Sequence, residues 1–320
     1  MPVTRKPTVA IVGAGSLASS LAPALDAARY RVTEIISRES ASSCRRARQL
    51  AAKVGARVVT YSAADITASL VWFCVPDREI RASASAFANL EKGSAAKSLS
   101  RSAGSSVYLR VLRGKRFLPA LEKGPVRFAF HSSGALPSSE LSPLQKKGIA
   151  TASVHPLMTF VPGAWPSLAG VPFALEGDAA ATRLARRIVR DLGGESFSLP
   201  ASRKPAYHAW ATMTSPLLLS FLVTLEQAAQ IAGIKPADAR RMSLPIIRQT
   251  LANYARLGSA KSFSGPIIRG DVEVVAKHLA VLKKNKQPSE VYVTLARAAL
   301  RNLPSKNRRE LERLFLSPHE

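Results

Sequence analysis

The stretch Thr8-Val9-Ala10-Ile11-Val12-Gly13-Ala14-Gly15-Ser16-Leu17-Ala18 decides how the rest of the chain is read. Thr8 to Val12 is an apolar, β-branched run, and Leu17, Leu21 and Leu25 recur at helical spacing behind the glycines. The order is strand, glycine turn, helix, with the pattern G-x-G-x-x-A. Gly13 permits a tight turn, and Gly15 lets a pyrophosphate approach backbone N–H groups at a helix N-terminus. Ala18 is small enough for the helix to lie close to the strand. With Ser16 and Leu17 these residues form a candidate dinucleotide-binding loop. A strand of buried type before it and an amphipathic helix after it are the context that this fingerprint requires.

Working outward, Arg31 to Ile36 reads as a second strand, ended by Ser37-Arg38. A carboxylate at this place would bind the ribose 2′-hydroxyl of NAD, but none stands there before Glu39. A hydroxyl and a guanidinium suit a 2′-phosphate, which Arg holds with parallel hydrogen bonds. The expected cofactor is therefore NADP(H), with Ser37 and Arg38 around its 2′-phosphate. A basic helix (residues 40–54) and a strand (Arg57 to Thr60) come next. The continuous apolar run Leu70-Val71-Trp72-Phe73-Cys74-Val75 then has the look of a parallel strand buried on both faces. Val75, Pro76 and Asp77 close it, where a bound cofactor's ribose and nicotinamide would lie; Asp77 reads equally well as a helix cap.

Residues 91–124 are rich in Ser, Ala, Lys and Arg, with Val107 to Leu112 as a possible strand, and read as an insertion. Strands at Val126 to Phe130 and before Ser153 deliver His131-Ser132-Ser133-Gly134 and His155-Pro156, separated by a helix over Ser138 to Lys147. Val171 to Leu175, a helix over 178–192, and Glu195 to Leu199 form one further α/β unit. From Ala201 onward strands disappear and long helical segments follow, at about 203–232, 236–257, 271–285, 288–302 and 306–316. The prediction is an α/β Rossmann-type parallel sheet over residues 1–200, followed by an all-α C-terminal domain over residues 201–320.

The 320-residue length suits two domains, and 46 Lys and Arg against 21 Asp and Glu give a net charge of +25. These cations are spread over the whole length and aromatics are only 6%, so nucleic acid is not the expected partner. No run of about 18 uninterrupted apolar residues suggests a membrane span. Cys44 and Cys74 lie in unlike surroundings and suggest neither disulfide nor metal; with no signal segment before the first strand, a reducing cytoplasm is expected. No His or acidic residues fall at metal-ligand spacing, and no G-x-S-x-G elbow marks a hydrolase.

Strand C-termini open onto the ligand crevice in open α/β sheets, so the histidines at two successive strand ends are candidate acids. Lys204, Tyr207 and His208 form a third cluster, with positions 204 and 208 on one face of a helix. Ser215-Pro216 should kink that helix. The candidate catalytic residues are His155, His208, Lys204, Tyr207, His131, Ser132 and Ser133. Ser215 and Arg269 are candidate substrate ligands, Arg269 for a carboxylate unless it pairs with Asp271.

At this point the chain resembles a family of bacterial proteins that pair an N-terminal Rossmann-like domain with a C-terminal helical domain of unknown function. The resemblance rests on Val9 to Ala18, Cys74-Val75-Pro76-Asp77, His131-Ser132-Ser133-Gly134-Ala135-Leu136 and Ser153-Val154-His155-Pro156-Leu157-Met158-Thr159-Phe160. It continues through Tyr207-His208-Ala209 and Ser264-Gly265-Pro266-Ile267-Ile268-Arg269-Gly270-Asp271, with His278 following. The wider class it is similar to includes pyrroline-5-carboxylate reductase, ketopantoate reductase and the 3-hydroxyacid dehydrogenases. The resemblance implies NADP or NAD, a substrate lodged between two domains, and a homodimer formed through the helical one. The chain departs from that pattern in its longer 91–124 segment and in Pro216. Two functions are expected to compete: hydride transfer between NADP(H) and a small carbonyl, imine or hydroxy acid, or a non-enzymatic NADP(H)-binding regulator. Convergence of His131, His155 and His208 would favour the enzyme.

Overall fold

The computed structural model describes residues 6–61, 66–89 and 126–316, and divides into two compact units, Met1–Ala211 and Thr212–Glu320. The division leaves Lys204, Tyr207 and His208 with the first unit. Residues 91–124, including the possible strand at Val107 to Leu112, lie outside the described residues.

The first unit is built on an eight-stranded sheet, β1 (Val9–Val12), β2 (Val32–Ser37), β3 (Arg57–Thr60), β4 (Leu70–Phe73), β5 (Phe128–His131), β6 (Ala150–Pro156), β7 (Pro172–Gly177) and β8 (Glu195–Ser198). Its order is β3-β2-β1-β4-β5-β6-β7-β8, parallel from β3 through β6. The chain reverses direction along the sheet between β1 and β4, the switch point where open sheets bind ligands. The strands alternate strictly. Val9, Ile11, Trp72, Phe130, Ala152 and Val154 face one core, whereas Ala10, Val12, Val71, Phe73 and Ala129 face the other. Both faces of the central strands are covered, which is why their sequences read as unbroken apolar runs.

The first core is closed by α1 (Ser16–Ala27), α2 (Ala41–Val54) and α5 (Ala179–Asp191). The second core is closed by α3 (80–89) and by α4 (Ser142–Gln145), a single turn preceded by a 3-10 turn at Ser138–Leu141. The expected helix over Ser138 to Lys147 is thus broken, because Pro143 removes a backbone donor in its middle.

One expectation needs correction. The pairing of β6 with β7 is antiparallel, while β7 and β8 are parallel to each other around α5. A parallel return requires a crossover on one face of the sheet, usually a helix. Residues 157–171 contain none, so the chain folds back beside β6 instead.

The start of the helical segment, α6 (Lys204–Thr214), begins in the first unit. Pro216 opens a new helix, α7 (Pro216–Ile231), with Ser215 at its N-cap position, so the expected kink is present. The second unit continues with α8 (Pro236–Ser262), α9 (Pro266–Arg269), α10 (Val272–Leu282), α11 (Lys286–Asn302) and α12 (Arg308–Leu316). Its own core joins Val275 and Leu279 to Val293, Ala296, Leu300, Leu311 and Phe315. From the apolar run over Val291 to Leu300, Val293, Ala296 and Leu300 are buried inside this unit while Leu295 is exposed, as are Leu217, Leu218, Leu219 and Val223 of α7. Ala201–Ile231 is the one stretch among the described residues long and apolar enough to cross a membrane by length and composition.

Candidate functional site

At the switch point, Gly13 has φ +99°, and a β-carbon there would lie 2.6 Å from the Cys74 carbonyl oxygen. Its N–H donates to Ile36 O, and Cys74 N–H donates to Val12 O, so the turn is locked against both neighbouring strands. Gly15 differs. It occupies the N-cap position of α1 in an extended conformation, and a β-carbon built on it would meet nothing within 4 Å. The fold explains Gly13, but nothing in the described chain requires glycine at position 15.

The glycine turn borders a cavity of about 420 Å3. Its walls include Gly13 and Gly15, Ser37 and Arg38 at the end of β2, Val75 and Pro76 after β4, and Ser43, Arg46, Tyr61 and Glu79. Ser37 and Ser43 are buried hydroxyls, and Ser40 Oγ donates to Ser43 Oγ at 2.9 Å. Arg38 pairs with Glu79 across the cavity wall at 3.3 Å. An open helix N-terminus, hydroxyls and arginines fit a phosphorylated dinucleotide. Arg46, Ser43 and Tyr61 were missed by the sequence reading. The available signal was that Arg46 falls one turn after Ser43 at the head of the basic helix.

The carboxylate within β2, Glu34, is no ribose ligand. It is fully buried within β2 and accepts from Arg57 at 2.9 Å, Thr67 Oγ1 at 2.6 Å, Thr67 N–H at 3.1 Å and the Thr33 hydroxyl. Those donors outweigh burial and hold its carboxyl below the ordinary range.

The second constellation forms where parallel β5 and β6 end side by side, His131 being in register with Ser153. His155 stands two residues beyond Ser153, on the same face of β6. Its Nδ1 meets Tyr207 Oη at 2.8 Å, and its ring lies 6.5 Å from that of His208, centre to centre. Gly134 separates the two imidazoles: a β-carbon there would sit 2.8 Å from His155 Nε2 and 2.9 Å from His208 Cδ2. The sequence His131-Ser132-Ser133-Gly134 thus needs its glycine because two rings pack against that backbone. Burial, with the Lys204 ammonium as the next cause, lowers His155 to about 4, so its imidazole is neutral at pH 7. Burial raises Tyr207 to about 12, so the phenol keeps its proton and is able to donate it to Nδ1. In that arrangement the neutral ring carries its proton on Nε2, the nitrogen beside Gly134.

Lys204 lies underneath, only 1% exposed, donating to Ser133 O at 3.1 Å and Ser153 Oγ at 2.8 Å. Burial lowers it to about 8. Ser133 Oγ donates to Asp77 at 2.7 Å and accepts from the N–H groups of Ala135 and Leu136, so it folds its own loop. Trp72 Nε1 donates to Ser132 Oγ at 2.9 Å.

His131 is a correction. It is fully buried; Nδ1 accepts from Ser133 N–H at 3.1 Å, which places the proton on Nε2 for donation to Pro137 O at 3.0 Å. Both nitrogens are committed to the loop. Lys204, Ser132 and Ser133 belong to the same support. Arg269 and Ser215 lie in the second unit, where Arg269 pairs with Asp271 at 2.8 Å. Among the described residues no group of His, Cys, Asp and Glu could hold a metal ion.

These pKa displacements make stability depend on pH. His131 and His155 titrate near 4 in the fold against an ordinary 6.5, so between these values the unfolded chain binds more protons. Stability is therefore expected to fall as pH drops from 6.5 to about 4, by up to about 3 kcal/mol per imidazole at ~1.4 kcal/mol per unit. Urea unfolding midpoints across this range test it, and a flat profile would contradict the buried neutral pair.

Comparison with known proteins adds the family context. Residues 171–299 match DUF2520, a domain of unknown function. No curated protein sequence matches the chain significantly. Among solved structures, a protein of Bacteroides fragilis assigned as an NADP oxidoreductase is 19% identical with a TM-score of 0.66, covering 92% of this chain and 97% of its own. 1-Pyrroline-5-carboxylate reductase from Streptococcus pyogenes is 13% identical with a TM-score of 0.56, covering 98% and 99% respectively. A reductive aminase from Aspergillus terreus, solved with NADPH and ethyl-5-oxohexanoate, is 14% identical with a TM-score of 0.54, covering 97% and 99%. The chain thus joins a Rossmann-type N-terminal part to a DUF2520-bearing C-terminal part, in a fold that NAD(P)-dependent reductases share.

Proposed function

We propose that this protein is an NADP(H)-dependent oxidoreductase that moves a hydride to or from a small carbonyl, imine or hydroxy acid. One observation carries the reading: within the first unit, the glycine-turn cavity lies at the C-terminal ends of β1, β2 and β4, and His155, which the α6 residues Tyr207 and His208 approach, lies at the C-terminal end of β6 in the same sheet. His131, His155 and His208 are far apart in sequence, and two of them share the face at Gly134 while the third shapes the loop below. A regulator that only senses dinucleotide has no need of that cluster.

Gly13 to Ala18 would hold the pyrophosphate against the N-terminus of α1, Ser37 and the cavity arginines the adenosine end, and Val75, Pro76 and Asp77 the nicotinamide side. When bound, the cofactor supplies or accepts the hydride. The protein must then orient the substrate and stabilise oxygen or nitrogen as its charge develops. His155 does this as a neutral donor: Tyr207 fixes its tautomer, and Nε2–H faces the substrate across Gly134. His208 forms the opposite wall. Lys204 acts from beneath, since its ammonium opposes protonation of His155 and its hydrogen bonds hold the Ser133–Gly134 backbone. Ser132 and Ser133 shape the loop, and Arg269 is already paired with Asp271 within the second unit.

A screen of small keto acids, cyclic imines and hydroxy acids, following NADPH absorbance, tests the proposal. Turnover of at least one class is expected; tight NADPH binding with no turnover would favour the regulator. The exposed leucines of α7 further suggest a homodimer formed through the helical unit. Light scattering at micromolar concentration should give twice the chain mass, and a strict monomer would refute this. We place the protein in the cytoplasm, where its free thiols Cys44 and Cys74 stay reduced, with neither membrane nor nucleic acid as its main partner.

A further inference from the structure

We infer that Arg46, not Arg38, is the cation that selects a 2′-phosphorylated dinucleotide over an unphosphorylated one. The inference rests on the NADP(H) reading above and names the residue that enforces it. The residues at the end of β2 were the sequence's candidates, yet Arg38 is held at 3.3 Å by Glu79, and both side chains line the cavity. A phosphate brought to Arg38 would meet the Glu79 carboxylate beside it, and like charges at such range repel. Arg38 is thereby suited to the adenosine, over which its planar guanidinium can stack, more than to a second anion.

Arg46 lines the same cavity and, among the described residues, forms no ion pair with Glu79. It follows Ser43 by one turn on the same face of α2, and Ser37, Ser43 and Arg46 line the cavity together. Two buried hydroxyls and a guanidinium form an acceptor-binding set without a carboxylate among them. Arg46 also lines a second cavity of about 360 Å3, with Ser16, Ser19, Gln49, Lys53 and Trp165. In that second cavity Lys53 is already placed over the Trp165 ring, 4.1 Å from its centre. Arg46 is therefore the cation that the two cavities have in common.

The test uses the full chain and four ligands: NADPH, NADH, adenosine 2′,5′-bisphosphate and 5′-AMP, titrated calorimetrically. The wild type should prefer each 2′-phosphorylated ligand over its counterpart. Arg46→Ala should shrink both preferences by about tenfold or more while 5′-AMP affinity stays within about twofold. Arg38→Ala should weaken all four ligands alike and leave the preferences standing. The inference is overturned if Arg46→Ala keeps the preferences, if Arg38→Ala erases them, or if the wild type has none while still binding NADH. Failure of the wild type to bind either dinucleotide would overturn the NADP(H) reading itself along with the inference. Both arginines are exposed, and thermal unfolding should confirm that each variant folds as the parent does.

Discussion

Alanine at position 15 is expected to leave the fold intact and cost NADPH affinity at least about tenfold, whereas alanine at position 13 is expected to abolish binding and destabilise the chain. The two glycines are two residues apart but glycine for different reasons. At Gly13 the backbone has φ +99°, and a new methyl would press against Cys74 O at 2.6 Å, Cys74 C at 3.1 Å and Val75 Cγ1 at 3.2 Å. Cys74 is fixed by its own bond to Val12 O, so the carbonyl cannot retreat without breaking the β1–β4 ladder. Strain of this kind costs of order 1–3 kcal/mol before the clash is counted. At Gly15 there is open space and an ordinary extended backbone, so alanine fits the protein. If Gly15→Ala binds NADPH as the parent does, no ligand phosphate approaches that backbone and the cofactor assignment is wrong. Unfolding midpoints measured beside the titrations separate the two mechanisms.

The fold was legible because its decisive signals are local. A glycine turn between an apolar strand and a leucine-periodic helix announces itself within a dozen residues, and the doubly buried run Leu70 to Phe73 can hardly be anything but a central strand. The reversal at β7 was not legible, since it depends on what the 157–171 connection lacks rather than on any residue it contains. At the site, the sequence does not show how deep each residue lies. His131 and His155 both follow apolar strands and look alike in sequence. Their difference, two backbone partners for one and a tyrosine for the other, arises from chain folding over 52 residues between His155 and Tyr207. Lys204 likewise reads as a candidate catalytic ammonium at a helix start. Only the packing of α6 on the Ser133 loop shows it to be buried. Arg46 was hidden in the opposite way, among several basic residues of one helix, where only the cavity distinguishes it from Arg45 and Arg48.

The largest catalytic loss is expected at His155. Once a substrate is found, His155→Ala should lower kcat by about 10²–10³, the usual contribution of a hydrogen-bond donor aimed at a developing charge, with NADPH affinity unchanged. His155 does not line the glycine-turn cavity, so binding and turnover should separate cleanly. Tyr207→Phe is the sharper probe, because it keeps the ring that packs against His155 and removes only the hydroxyl 2.8 Å from Nδ1. Without that donor the imidazole is free to place its proton on Nδ1, and Nε2 then turns from donor to acceptor. Turnover should fall without a matching rise in KM, and the imidazole should titrate with an altered tautomer ratio visible in the ¹⁵N spectrum of the labelled ring. If Tyr207→Phe lowers kcat with an unchanged tautomer, the phenol itself meets the substrate and His155 only holds it. If His155→Ala and His208→Ala both leave turnover intact, the acid lies elsewhere and the mechanism proposed for this face is wrong.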